Sequence, residues 1–465
     1  MSTGSSQSCP YNRPAGRSES DDPLSLLSPA HVADPYPGYE RLRAEGPVVH
    51  VPEHGLWLVT TYAACLEVLG KPEVFSSSQS LSGRNLFRDH PHAAATLRSG
   101  PGYPRTRTLI LTDPPEHTRY RSVVQRAFAP AETVRRLTPE IEARVDELID
   151  GFASRGKCEF VGEFAYPLPM SIISLVLGFP PGLIDTLKRW SDDFIAAQAG
   201  NIDAERVASA ARSTVEFEHY VSDQLDERGA APDAAGQPDF LSRLAVASRG
   251  EDGQPPLTRQ EQLSLTQQML VGGNETTTNL LGNLMAALAA DPALADRVRA
   301  DPGATQGLVE EVLRYKSPLQ GLYRVATADT EVQGVAIPAG ARLMVLFASA
   351  NRDERVYDPP GLAPDRDLRT APHLAFGRGI HACMGQSLAR REARIAVDRL
   401  LARLGDLRLA PGGRREPVTL FGFHGLRHLD ITFRPLCGPV NAEEQADSVR
   451  NQKLGTQRTG RSVTA

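Results

Sequence analysis

The sequence predicts a mainly α fold with a minor β portion. Three observations carry this. Apolar residues recur at helical spacing over long stretches. About 32 residues lie between a strong helix start and a plausible stop. β-Branched runs are few and short. Taken in chain order, residues 1–22 are Ser-rich and polar and read as a loose N-terminal tail. Residues 55–60 read as a strand. Residues 81–108 are long and irregular, with Arg84, Arg88, Arg98, Arg105 and Arg107 against only Asp89, and are expected to form a lid-like loop. Residues 139–152 place Ile141, Val145, Leu148 and Ile149 on one helical face. Gly and Pro punctuate 229–238 and 250–256. Residues 330–347 hold short β-branched runs separated by Gly334 and Pro338–Gly340. Leu388, Ile395, Val397, Leu400, Leu401 and Leu404 mark a late amphipathic helix, and 436–465 read as a polar C-terminal tail.

Composition bounds the function. Basic residues number 51 and acidic residues 56, for a net charge of −5, which argues against a dedicated nucleic-acid binder. Hydrophobic residues make up 41%, ordinary for a soluble domain and enough for a large core. No apolar run reaches the roughly 18 residues of a membrane span, and no secretory signal opens the chain. A cytoplasmic protein without a membrane anchor is expected. Length alone, at about 150 residues per domain, suggests three domains.

The stretch expected as one long helix starts with the capping-box pattern Thr258-x-x-Glu261 and stops at Asp291-Pro292. At 1.5 Å per residue it would be on the order of 48 Å long, enough to cross a domain. Its middle is Gly272-Gly273-Asn274-Glu275-Thr276-Thr277-Thr278. Adjacent glycines cost a helix roughly 1 kcal/mol each relative to alanine. A helix–helix crossing or tolerated kink explains them, and so does close approach of something flat and bulky.

Cys9, Cys65, Cys158, Cys383 and Cys437 are scattered and fit neither a disulfide framework nor a zinc ribbon. Cys383 differs in its surroundings, Phe376-Gly-Arg-Gly-Ile-His381-Ala-Cys383-Met-Gly385, which lead into the late helix. A cysteine just ahead of a helix start meets unpaired N–H groups and the positive end of the dipole, which favour thiolate. A buried structural cysteine in a glycine-rich turn is the plainer alternative.

The pattern Phe-x-x-Gly-x-His-x-Cys-x-Gly resembles the haem-binding loop of the cytochrome P-450 family, with each defining position filled. Gly272 to Thr276 resembles the family's central helix, and Glu311-Val-Leu-Arg314 its Glu-x-x-Arg motif. Asp113-Pro-Pro-Glu-His117-Thr-Arg-Tyr-Arg121 resembles the segment that meets the haem propionates, and Arg324 matches another propionate arginine. The family's Pro-x-Arg-Phe element reads Pro364-Asp365-Arg366-Asp367, with aspartate in place of the aromatic residue.

The resemblance runs over 23–435 and implies a single haem domain with the cytochrome P-450 fold. In it Cys383 ligates the iron of haem b as a thiolate, with Phe376 in the same loop. His117, Arg121, Arg324 and His381 hold the propionates. Thr276 and Glu275 form an acid–alcohol pair that delivers protons. A monomeric monooxygenase is implied, using O2 and electrons from a separate ferredoxin and its reductase, since few residues follow 435 and no dinucleotide fingerprint appears. Arg378, Arg390, Arg391 and Arg394 are expected to help dock the ferredoxin; a solvated basic helix face is the alternative.

The substrate is expected to be a small organic molecule. Leu86, Phe87, Leu270, Leu319, Leu322, Phe421 and Phe423 would line a mainly apolar cavity. Peroxide-driven oxidation, radical coupling without oxygen insertion, and non-catalytic ligand binding at the haem stay open on the residues alone.

Overall fold

The computed structural model describes residues 28–79, 90–199, 203–230, 239–250, 255–301 and 303–436. Both expected tails, save Leu436, lie outside the described residues, as do Arg84, Leu86, Phe87, Arg88, Cys9 and Cys437. Helices dominate and the sheets are small, so the predicted fold class holds.

The central helix is Arg259–Ala290. Both halves of its capping box form: the Glu261 N–H donates to Thr258 Oγ1 (3.3 Å), and the Thr258 N–H donates to the Glu261 carboxylate (2.7 Å). Asp291 ends it and caps the next helix, Pro292–Ala300, by accepting the Leu294 N–H at 3.1 Å. A helix with no strongly polar face belongs inside, and this one is packed by Pro167–Leu177, Ala304–Tyr315 and Gln386–Arg403. The two glycines separate in role. A Cβ on Gly273 would fall 2.6 Å from Ile173 Cδ1, so Gly273 serves a helix crossing. Gly272 faces open space and keeps the second explanation available.

Two expectations need correction. The helix expected from 139 begins earlier, at Pro130, and runs to Ala153 with Pro139 inside it. The proline removes one backbone bond, but Thr133 and Leu137 continue the buried face of Ile141, Val145 and Ile149 against Gln386–Arg403. The loop expected over 81–108 contains a helix, Pro91–Arg98. Its Ala93 and Leu97 are buried against Val207 and Ala211 of the helix Ala204–Ala230. Just after it, Gly102 donates its N–H to the buried Glu218 of that same helix (3.1 Å). Burial raises the pKa of this carboxyl.

The larger sheet runs, in spatial order, Val48–Val51, Leu56–Val59, Arg342–Val345, Leu322–Ala326, Phe75–Ser76. Leu56–Val59 and Arg342–Val345 pair in parallel, with Leu58 opposite Met344; the other pairs are antiparallel. In a second sheet Leu426–Pro435 pairs with Arg415–Pro417, Lys157–Glu159 and Leu404–Leu409. The expected break at Gly334 is a two-residue hairpin turn, Gln333-Gly334, both at positive φ, between Thr330–Val332 and Val335–Ile337. Among the described residues no helix is long and apolar enough to cross a membrane.

Candidate functional site

The cysteine loop is shaped by two glycines at positive φ, Gly377 (+65°) and Gly379 (+71°). At Gly379 a Cβ would also meet Leu69 O at 2.7 Å, so no side chain fits there. The loop closes where the Cys383 N–H donates to Phe376 O (2.9 Å), and the helix Gln386–Arg403 starts three residues later. The backbone N–H groups of Gly385 and Gln386 are directed at the sulfur, and Arg121 and Arg390 add positive charge. Burial nevertheless pushes the thiol pKa up. The helix-start N–H groups act toward thiolate as expected, burial acts against it, and a metal cation at the sulfur would stabilise the negative charge. Cys65 and Cys158 are buried and free, with thiols also pushed up by burial.

On one flank of the cysteine the four residues expected to hold propionates are brought together. His117 projects from the helix Glu116–Phe128, which also carries Arg121; Arg324 lies on Leu322–Ala326 and His381 in the cysteine loop. The rings of His117 and His381 are 4.2 Å apart. Burial, then the charges of Arg324, His117 and Arg121, lower the His381 pKa to about 3. Burial lowers Arg324 to about 10, and also lowers His117 and Arg121. His117 is 3% exposed, and its Nε2 is buried without a hydrogen-bond partner. Two buried or half-buried arginines, beside two imidazoles biased toward their neutral form and an unpartnered His117 ring nitrogen, offer positive charge and donors to a dianionic ligand, so these residues fit the propionate edge of a haem.

Two contributors escaped the sequence reading. The Ser77 hydroxyl and His381 Nε2 are 2.9 Å apart. Asp113 accepts from the Ser76 hydroxyl (2.5 Å) and the Ser77 N–H (2.8 Å), so it anchors the turn that meets His381. Asp113 stood in the quoted motif without a role, while nothing in the Ser-rich stretch after 75 singled out Ser77.

Glu275 and Thr276 are half-buried on the central helix. Burial, with Asp192 adding to it, raises the Glu275 pKa. Asn279, one turn on, donates its side-chain N–H to Glu275 Oε1 at 3.3 Å. The Thr276 hydroxyl donates back to Gly272 O (3.2 Å), beside the open face of that glycine.

Behind the cysteine loop, Arg314 makes a bidentate pair with Glu311 (2.7 and 2.6 Å), both wholly buried. Arg366 reaches Glu311 at 3.3 Å, so the aspartate at 367 leaves this network intact. Of the cations expected at a docking face, Arg378 is exposed, whereas Arg391 donates to Thr138 Oγ1 (3.1 Å). Arg390 is corrected: it is bound to Glu310 (2.6 Å) instead of facing a partner.

Of the expected cavity residues, Leu319 and Phe423 lie side by side as a β-bridge, and the Gln320 N–H donates to Gly422 O (2.8 Å). Leu270 is corrected as well: it is fully buried in the helical core and lines no cavity.

The Cytochrome P450 family pattern matches residues 304–420. The chain is 38% identical over 400 residues to the cytochrome P450 monooxygenase PikC of Streptomyces venezuelae, covering 84% of this chain and 89% of that one. It is 32% identical to a steroid C26-monooxygenase of Mycobacterium tuberculosis, over 85% of this chain and 93% of the relative. Among solved structures, cytochrome P450 CYP109Q5 from Chondromyces apiculatus is 34% identical, covers 88% of this chain and 98% of its own, and superposes with a TM-score of 0.75. Similarity of this extent, shared by sequence and fold, makes the chain a member of the cytochrome P450 family, an oxidoreductase and monooxygenase built on haem b with a cysteine thiolate ligand.

Proposed function

We propose that residues 23–435 form one haem domain that hydroxylates, epoxidises or dealkylates a mainly apolar small organic molecule, with electrons from a separate ferredoxin and its reductase. For a hydroxylation, one atom of O2 enters a C–H bond; the other leaves as water, consuming two electrons and two protons. When bound, the haem supplies the one-electron redox chemistry at iron and the site where O2 is activated. Cys383 Sγ ligates the iron, held by the N–H groups of Gly385 and Gln386. His117, Arg121, Arg324 and His381 bind and neutralise the propionates.

The observation that carries the O2-dependent reading is the placement of Glu275 and Thr276 on the central helix, with the Thr276 hydroxyl bonded to Gly272 O beside that glycine's open face, and burial raising the Glu275 pKa. A carboxyl biased toward its protonated form holds a proton at Oε, and an adjacent hydroxyl passes it inward. Leu319, Leu322 and Phe423 support an apolar substrate, in keeping with the steroid named for one relative. The exposed Arg378 in the cysteine loop supports docking of an acidic one-electron carrier.

Reconstitution with ferredoxin, reductase and NAD(P)H is expected to give substrate-dependent turnover. Turnover with peroxide alone would instead establish the peroxide-driven alternative. Exchange of Thr276 for alanine is expected to leave NAD(P)H consumption in place while product per NAD(P)H falls severalfold. The ratio of product to NAD(P)H reads this, and an unchanged ratio removes Thr276 from the mechanism.

A further inference from the structure

We propose that Glu310 is a positioning residue for the iron ligand: it holds the Arg390 guanidinium across the Phe376 ring and neutralises its charge beside Cys383. The inference rests on Cys383 being the axial ligand. The helix Ala304–Tyr315 presents two consecutive carboxylates in two directions. Glu311 turns to Arg314 and Arg366, while Glu310 turns to the cysteine loop.

There Arg390 donates from Nε to Glu310 Oε1 (2.6 Å) and from Nη2 to Oε2 (3.0 Å). His373 Nε2 lies 3.1 Å from the same Oε2. Its other ring nitrogen, Nδ1, accepts the Ala375 N–H (3.3 Å), so the carboxylate is tied into the irregular segment entering the loop. Thus fixed, the guanidinium sits 4.5 Å from the Phe376 ring centroid, an attractive cation–π distance. Its Nη1 donates to the Gln386 side chain (2.9 Å), and the Gln386 backbone N–H is one of those directed at the sulfur. The cation therefore touches both the residue whose carbonyl closes the loop and the residue whose amide faces the ligand. Arg390 acts on Cys383 as a positive charge, and Glu310 is the group that offsets it. These partners are one-quarter to one-third exposed, so the effect is read at low salt.

The test is the reduction potential of the haem-loaded protein, with the reduced, CO-bound spectrum recorded alongside. Glu310→Gln keeps the size and removes the charge. The unbalanced Arg390 then favours the reduced, more negative site, and the potential rises while the thiolate-type band persists. Arg390→Gln leaves Glu310 unbalanced, and the potential falls. The double variant removes both charges and returns the potential toward wild type, which a packing defect would not do. Should Glu310→Gln fail to fold, Arg390→Gln alone decides. An unshifted potential in the single variants, or a double variant displaced as far as Glu310→Gln, overturns the proposal. Absence of the thiolate-type band in the unmodified protein is a different result: it removes the Cys383 assignment, and this proposal falls with it.

Discussion

Replacing Cys383 with serine is expected to abolish the thiolate-type absorption band of the reduced, CO-bound protein and to reduce monooxygenase turnover to background. Sulfur and oxygen differ little in size at this position, and the loop bond from the 383 N–H to Phe376 O involves only backbone. The variant should therefore fold and keep His117, Arg121, Arg324 and His381, the residues proposed to hold the propionates. What it loses is a ligand that can carry negative charge. A serine hydroxyl is a far weaker acid than a thiol, so two N–H groups and two nearby arginines do not make it an anion. The electron donation that favours O–O cleavage goes with it. Persistence of the thiolate-type band in the serine variant would falsify the ligand assignment.

The second large effect is structural. Glu311→Ala is expected to cost about 3–5 kcal/mol, the typical penalty for stranding one partner of a buried ion pair. Arg314 is entirely buried. It also donates to Asn351 O (2.7 Å) and Gly361 O (2.7 Å), and Glu311 accepts the Ala363 N–H (2.8 Å). Removing the carboxylate thus leaves a buried guanidinium uncompensated and frees the segment around 360 that passes behind the haem site. A loss of this size is a large part of the roughly 5–15 kcal/mol that stabilises a folded protein. Denaturant unfolding and haem content of the purified protein measure it. A variant with the wild-type midpoint and full haem would show that the pair is dispensable.

Legibility in the sequence followed the distance over which each feature is determined. The capping box at Thr258 and Glu261, the stop at Asp291 and the glycines before Cys383 act within a few residues, so they could be read directly. The Glu311–Arg314 pair spans one helical turn, but such spacing is common on helices, and only the family resemblance singled it out. The propionate side needed a family resemblance, because His117 and His381 meet only through the tertiary fold. The contacts of Ser77 with His381 and of Glu310 with Arg390 left no local trace, since each joins residues far apart in the chain. Leu270 shows the converse error: its apolar character is the same on a cavity wall as in the core, and packing alone decided. The helical face read over 139–152 extends back to Pro130, because Thr133 and Leu137 continue it past Pro139.

The four residues proposed to hold the propionates have one more consequence, for how the protein matures. They come from segments more than half the chain apart, so the ring of charge closes only after residue 381 has left the ribosome. Until then no partial chain can assemble the complete grip on a propionate. Within this group burial and the arginine charges lower the pKa of both His381 and His117, so the two imidazoles are biased toward their neutral form. A bound dianion would offset the charge of the two arginines. Haem uptake is therefore expected to be a late step that completes the site, and limited proteolysis of haem-free against haem-loaded protein checks it: equal cleavage in both forms would overturn that expectation.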